Sequence, residues 1–185
     1  MNKFVFDPTR KFLNPEKVLF AAGLGRGQIF ADLGSGSGFY SVAASKIVGP
    51  QGMVYSFDVL ESALDHVTAE ARLHGARNIR TQVCNLEDKA ACTSLEPGSA
   101  DMVLLGNVLH QVKKRDNLFV EAYRLLKTGG KLLILEWNDQ PAAIGPVADQ
   151  RIAESEVAKL ANKATFKVAG NLNVDPYHYG LIFIK

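Results

Sequence analysis

The sequence predicts a doubly wound α/β fold built on a mainly parallel sheet. Three observations carry that reading. From residue 28 onward, short apolar runs alternate with stretches whose apolar residues recur at helical spacing. The runs are mostly uninterrupted, as parallel strands buried on both faces require. The first run then meets glycine at every second position just before a helical stretch, which is how a chain brings backbone N–H groups against a ligand.

The candidate strands are 28–33, 53–58, 79–83, 100–105 and 131–137, and the helical segments between them are 39–48, 61–74 and 116–126. In the last of these, Leu118, Phe119, Ala122, Leu125 and Leu126 form one face, and Thr128-Gly129-Gly130 ends it. Ahead of the first strand, Asn14-Pro15-Glu16 combines a capping residue, a first-turn proline and an early acid, starting a short helix that runs to about residue 22. Residues 1–13 read as irregular. Segment 138–150, with Pro141, Gly145 and Pro146, reads as a flexible loop leaving the carboxyl edge of the sheet. A helix over 155–162 and strands over 165–170 and 179–184 follow. The eight residues of 171–178 are too few for a parallel crossover, so the last strand runs antiparallel to its partner. The chain reads as one domain over 1–185, with an N-terminal segment and helix (1–28) and a sheet core (29–185).

Composition excludes several classes. A formal net charge of +2 is too slight to imply nucleic acid or an anionic membrane surface. The longest basic run, Lys113-Lys114-Arg115, reads as a solvated loop. Two cysteines, Cys84 and Cys92, fit neither zinc spacing nor a disulfide framework, and read as one buried and one partly buried thiol in a reducing compartment. The N-terminus lacks the apolar core of a signal peptide, and no apolar run approaches the ~18 residues that span a bilayer. The expectations are a cytoplasmic protein with no metal site, no membrane insertion and no nucleic-acid partner.

The glycine loop is the first pointer to chemistry. Asp32-Leu33-Gly34-Ser35-Gly36-Ser37-Gly38 reads G-x-G-x-G, neither the G-x-G-x-x-G of a dinucleotide fold nor a Walker loop. Asp32, two residues before the first glycine, would repel phosphate but suits an ammonium group. In open α/β sheets, ligands sit at the carboxyl ends of the strands. There the second strand delivers Asp58, twenty residues after Gly38, an acid able to bind both hydroxyls of a ribose or simply to cap the next helix. The third delivers Cys84-Asn85-Leu86, the fourth Gly106-Asn107-Val108-Leu109-His110, and the fifth Glu136-Trp137-Asn138-Asp139.

This set, together with Leu126-Lys127-Thr128-Gly129-Gly130-Lys131, resembles the class I S-adenosylmethionine-dependent methyltransferases. It looks closest to the type 11 or ubiquinone/menaquinone-biosynthesis-like branch, over roughly residues 14–137. The resemblance implies a seven-stranded sheet of order 3-2-1-4-5-7-6 with strand 7 antiparallel. It implies that Asp32 holds the methionine ammonium of S-adenosylmethionine, while Gly34, Ser35, Gly36 and Gly38 pack under the methionine and ribose. Asp58 would bind the ribose diol, Val59 would touch the adenine face, and Asn85 and Leu86 would meet the adenine. Tyr40 would face the cofactor, with Phe39 packed in the core. Asn107 and His110 would lie at the methyl-transfer end. His110 and Glu136 are the candidate catalytic residues. His110 is a general base or a histidine bonded to a carbonyl; Glu136 is an acid or a partner of Lys or Arg; Asn85 is a ligand or a turn residue.

The expected activity is in-line transfer of a methyl group to a small-molecule acceptor, releasing S-adenosylhomocysteine, with the protein a monomer or homodimer. Segments 138–150 and 171–178 are expected to shape the acceptor pocket, closed over by residues 1–13 or by a larger partner. The competing readings are a non-catalytic cofactor-binding module and an NAD-dependent oxidoreductase. The G-x-G-x-G spacing and Asp32 speak against the latter.

Overall fold

A computed structural model describes residues 14–185; the expectations for residues 1–13 lie outside the described residues. Asn14 starts α1 (Pro15–Ala21) by accepting the Lys17 N–H at 3.0 Å, with proline in the first turn. There follow β1 (Ile29–Leu33), α2 (Phe39–Val48), β2 (Met53–Asp58), α3 (Glu61–Leu73), β3 (Ile79–Val83) and β4 (Ala100–Gly106). A 3-10 turn (Leu109–Gln111) leads to α4 (Arg115–Leu125), β5 (Leu126–Trp137), a second 3-10 turn (Ala148–Gln150), α5 (Glu154–Lys163), β6 (Lys167–Asp175) and β7 (His178–Ile184). The seven strands form one sheet of order β3-β2-β1-β4-β5-β7-β6. β1 to β5 pair in parallel, and β7 is antiparallel to both its neighbours.

Strand parity divides the core and positions the site. Phe30, Val54, Leu104, Leu133 and Leu135 pack with Leu19 of α1 and Ala44 of α2 on one face. The alternate residues Ala31, Phe57, Val103, Leu132 and Ile134 pack with Phe119 of α4 and Val157 of α5 on the other. Each large side chain fully buried contributes about 1.5–3 kcal/mol, so the facing of every strand is strongly fixed. Asp32, Gly106 and Trp137 therefore fall on the α1/α2 face at the carboxyl edge, and Glu136 falls on the α4/α5 face.

The structure corrects several expectations. The segment 171–178 is strand for most of its length, leaving only Pro176 and Tyr177 as a turn. Its Asn-Leu-Asn-Val alternation places Leu172 and Val174 against the α1/α2-side core. The fourth helix ends at Leu125, because Leu126 already pairs with Ala100. Residues 127–130 then bulge, with Gly129 at φ +79°, before Lys131 pairs with Met102. Arg115 belongs to that helix and pairs with Glu156 at 2.9 Å, so only Lys113 and Lys114 of the basic run lie exposed in the connection. Phe39 is 52% exposed, while Tyr40 takes the core position. Both cysteines are buried.

Candidate active site

Gly34, Gly36 and Gly38 have φ of +83°, +51° and +89°, the left-handed region that favours glycine. The first and last are also pressed by neighbours. A Cβ on Gly34 would lie 2.7 Å from Val108 Cγ2, and one on Gly38 would lie 3.0 Å from Val67 Cγ2. A Cβ on Gly36 would meet nothing within 4 Å, because this residue faces an open cleft. The Gly34 and Ser35 N–H groups both donate to the Phe57 carbonyl, tying the turn to β2. The Gly36 N–H donates to Asp58 Oδ2 at 2.9 Å, and the Leu60 N–H donates to Asp58 Oδ1 at 3.0 Å. Asp58 thus anchors the loop and the entry to α3 together. A carboxylate has about four lone-pair sites, so two are left for a ligand's hydroxyls.

The cleft holds about 460 Å³. Of the residues expected from sequence, Gly34, Gly36, Asp58, Val59, Asn85, Leu86 and Asn107 line it. Val108, from the strand-end motif, lines it as well, with Leu60, Ala63, Gln111 and Val112, which no motif singled out. Asn85 is both wall and turn, since its Oδ1 accepts the Glu87 N–H at 3.0 Å. Gly38, Asp32, Ser35 and Tyr40 do not line the cleft; the last three are buried. Asp32 Oδ2 accepts from Ser41 Oγ at 2.6 Å, and Ser56 Oγ donates to Ser41 Oγ at 2.7 Å. Burial raises the Asp32 carboxyl to about 7; the Ser41 hydrogen bond opposes this and the Asp58 charge adds to it. Burial, with the charges of Asp32 and Asp175, pushes the Tyr40 hydroxyl up. Among the described residues, Ser35 Oγ, Tyr40 Oη and Asn107 Oδ1 are buried without a hydrogen-bond partner, a costly state that a bound polar ligand would relieve.

Across β4 the site changes character. Asn107 holds φ +55°, rare outside glycine but tolerated by asparagine, and its N–H donates to the Leu135 carbonyl. Gln111 Nε2 donates to the Asn107 carbonyl at 2.9 Å. Glu136 is fully buried, and its Oε1 accepts the Leu109 N–H at 2.6 Å. Its Oε2 lies 2.9 Å from His110 Nδ1, so among the described residues its side-chain partner is the histidine and not a Lys or Arg. A second cavity of about 620 Å³ is lined by Asn107, His110, Gln111, Trp137, Gly145, Pro146 and Gln150. Asn107 and Gln111 line both cavities and form their common wall.

Segment 138–150 is clamped over Trp137. A Cβ on Gly145 would lie 2.7 Å from the indole, and the Arg151 guanidinium sits 5.8 Å from the ring centroid. Arg151 also donates to the carbonyls of Asn138, Gln140 and Pro146. The 176–177 turn reaches the same edge, where the Asn138 N–H and Nδ2 donate to the Tyr177 and Pro176 carbonyls. The His178 ring packs against Trp137 at a 44° tilt, centroids 4.1 Å apart, and bonds Asp175 through Nδ1. Trp137 was visible only as a strand-end residue and Arg151 carried no motif; their contacts with each other arise from tertiary structure. Among the described residues, no group of three or more His, Cys, Asp or Glu could hold a metal ion, and no helix is long and apolar enough to cross a membrane.

A family model described as a methyltransferase domain matches residues 25–174. The demethylmenaquinone methyltransferase of Lactobacillus johnsonii is 30% identical over 83% of this chain and 59% of its own length. The arsenite methyltransferase of Aquipseudomonas alcaligenes is 35% identical over 55% of this chain and 30% of its own length. This chain therefore spans less than two thirds of either relative. Among solved structures, a SAM-dependent methyltransferase from Aquifex aeolicus superposes with a TM-score of 0.86 at 27% identity, covering 96% of this chain and 93% of that one.

Proposed function

Because this chain belongs to the S-adenosylmethionine-dependent methyltransferases, in the type 11 branch of class I, we propose that it methylates a neutral small molecule bearing an ionisable hydroxyl, by in-line displacement, with His110 as general base. The observation that carries this reading is the 2.9 Å contact between His110 and buried Glu136 on the wall of a cavity that shares Asn107 with the cleft.

The cleft fits the cofactor on this chain's own terms. Asp32, buried behind the glycine loop and costly to ionise alone, would be relieved by an ammonium group reaching it directly or through water, the Ser35 hydroxyl would donate or accept, and the Asn107 Oδ1 would accept. Asp58 would take the ribose hydroxyls, Asn85 and Leu86 the adenine, and Asn107 the end nearest the acceptor. When bound, S-adenosylmethionine supplies a methyl group already activated by its sulfonium. The protein's own work is therefore positioning and proton transfer. With Nδ1–H donated to Glu136, the His110 Nε2 carries the lone pair that takes the acceptor's proton. Glu136, fixed by the Leu109 N–H, orients the ring and stabilises the imidazolium that forms.

The second cavity supports this acceptor class. Among the described residues, His110 is the one ionisable side chain lining it, which favours an uncharged acceptor. Both thiols of the chain lie against each other, and neither lines this cavity. That disfavours a thiophilic acceptor such as arsenite and favours a hydroxylated ring, whose deprotonation places charge on oxygen and on ring carbon. The test is S-adenosylhomocysteine release across neutral phenols and quinols, arsenite and amines. Turnover of a hydroxylated ring that is lost in His110→Gln supports the reading. Arsenite or amine turnover that is intact in His110→Gln contradicts it.

A further inference from the structure

The two cysteines are not used by the chemistry above, yet their placement is specific. Cys84 follows β3 on the wall of the cleft, beside Asp58 and Asn85, and its N–H donates to the Asp58 carbonyl at 2.9 Å. Cys92 lies behind it, fully buried, with the two sulfurs 3.0 Å apart. Cys92 is pinned from the α4 side. Its N–H donates to Glu121 Oε1 at 3.0 Å, and its carbonyl accepts from Arg124 at 3.0 Å. Glu121 and Arg124 are themselves paired at 2.6 Å. Cys84 thus belongs to the wall of the cofactor space, and the Cys92 sulfur is held against its sulfur. Closing the gap to a bond of about 2.05 Å needs roughly 1 Å of movement.

We propose that Cys84 and Cys92 form an oxidation site, closed to an intramolecular disulfide by a peroxide that enters through the open cleft, and shielded when the cleft is filled. The Cys84 thiolate attacks one peroxide oxygen, the O–O bond breaks, and a sulfenic acid forms as hydroxide leaves and takes up the proton that Cys84 released. The Cys92 sulfur then attacks the Cys84 sulfur and expels the hydroxyl, which departs as water with the Cys92 proton. Two thiols and one hydrogen peroxide give one disulfide and two waters. The order of events follows from the surroundings. Cys84 stands at the cleft wall while Cys92 is fully buried behind it, so Cys84 reacts first. The bond draws Cys84 away from the cleft and moves the adjoining Asn85 and Leu86, so the oxidised protein binds the adenine end of the cofactor more weakly.

The shielding part rests on the reading that the cleft holds an S-adenosyl ligand; the disulfide itself does not. The experiment treats the reduced full chain with hydrogen peroxide, with and without saturating S-adenosylhomocysteine, and follows intact mass and peptide maps. The expected result is loss of two hydrogens and a peptide linking Cys84 to Cys92, absent in Cys84→Ser and in Cys92→Ser. At ligand about tenfold above its Kd, oxidation slows about tenfold. Calorimetry on the reduced protein first establishes whether the ligand binds. Failure of binding overturns the cofactor reading and leaves the disulfide arm intact. Two thiols still free after peroxide, or addition of oxygen to Cys84 with no link to Cys92, overturns the proposal. Binding without any slowing overturns the shielding.

Discussion

The carboxyl edge of the sheet has two halves built by different means. Over β1 to β3, the ligand-facing surface is organised by a local backbone turn. Three glycines at positive φ turn the chain, and Asp58 ties that turn to the start of α3. Over β4 to β7, the surface is a mesh of side chains from distant segments: Glu136 on His110, Arg151 and Gly145 on Trp137, His178 on Asp175. A surface made of local backbone turns is written in a short motif. A surface made of tertiary side-chain contacts can change its acceptor without touching the first. Cofactor binding and acceptor chemistry are then separable by mutation.

The largest expected separation is at the dyad. His110→Gln or Glu136→Gln should lower turnover by about 10²–10⁴-fold while S-adenosylhomocysteine affinity stays within a factor of about two. Single-turnover kinetics beside calorimetry checks both halves of that statement. Next is the glycine loop. Gly34→Ala combines a positive φ with a 2.7 Å clash against Val108 and should weaken cofactor binding about 10–100-fold. Gly36→Ala, facing open space, carries only the backbone strain of about 1–2 kcal/mol. Comparing the two dissociation constants and melting curves tests whether steric crowding or backbone strain dominates.

A smaller, graded effect concerns pH. Asp32 is raised to about 7 in the unliganded protein, and an ammonium ligand favours its ionised form. Binding therefore releases a proton below that value. Affinity should climb about tenfold per pH unit as pH rises toward 7, then flatten. The same raised value makes the folded chain hold a proton that the unfolded chain loses above its ordinary 3.8, so unliganded stability falls as pH rises from about 4 to 7. Asp32→Asn should remove both slopes in binding and thermal-melt titrations. The smallest effect is at Arg151. Arg151→Ala releases the carbonyls of Asn138, Gln140 and Pro146 and should raise the acceptor KM about 3–10-fold with kcat little changed.

What could be read from residues follows the same division. The parallel strands, the glycine turn and Asp58 depend on local pattern, so they were legible. Asn107, His110 and Glu136 were visible as strand-end residues, but their mutual geometry was not, because a 26-residue separation carries no local signal. The alternation of Leu172 and Val174 marked a strand. Asn171 and Asn173 beside them are residues that favour turns, and packing of the two apolar side chains against the core decided the outcome. Phe39 and Tyr40 were legible as a pair, but only the helix's rotation about its axis decides which one is buried.

The most direct test of the two-part edge is one calorimetric comparison of S-adenosylhomocysteine binding to the wild-type chain, Asp58→Ala and Glu136→Gln. The account predicts a loss of affinity of about tenfold or more for Asp58→Ala and wild-type affinity for Glu136→Gln. Equal losses in both variants, or a loss confined to Glu136→Gln, would contradict it.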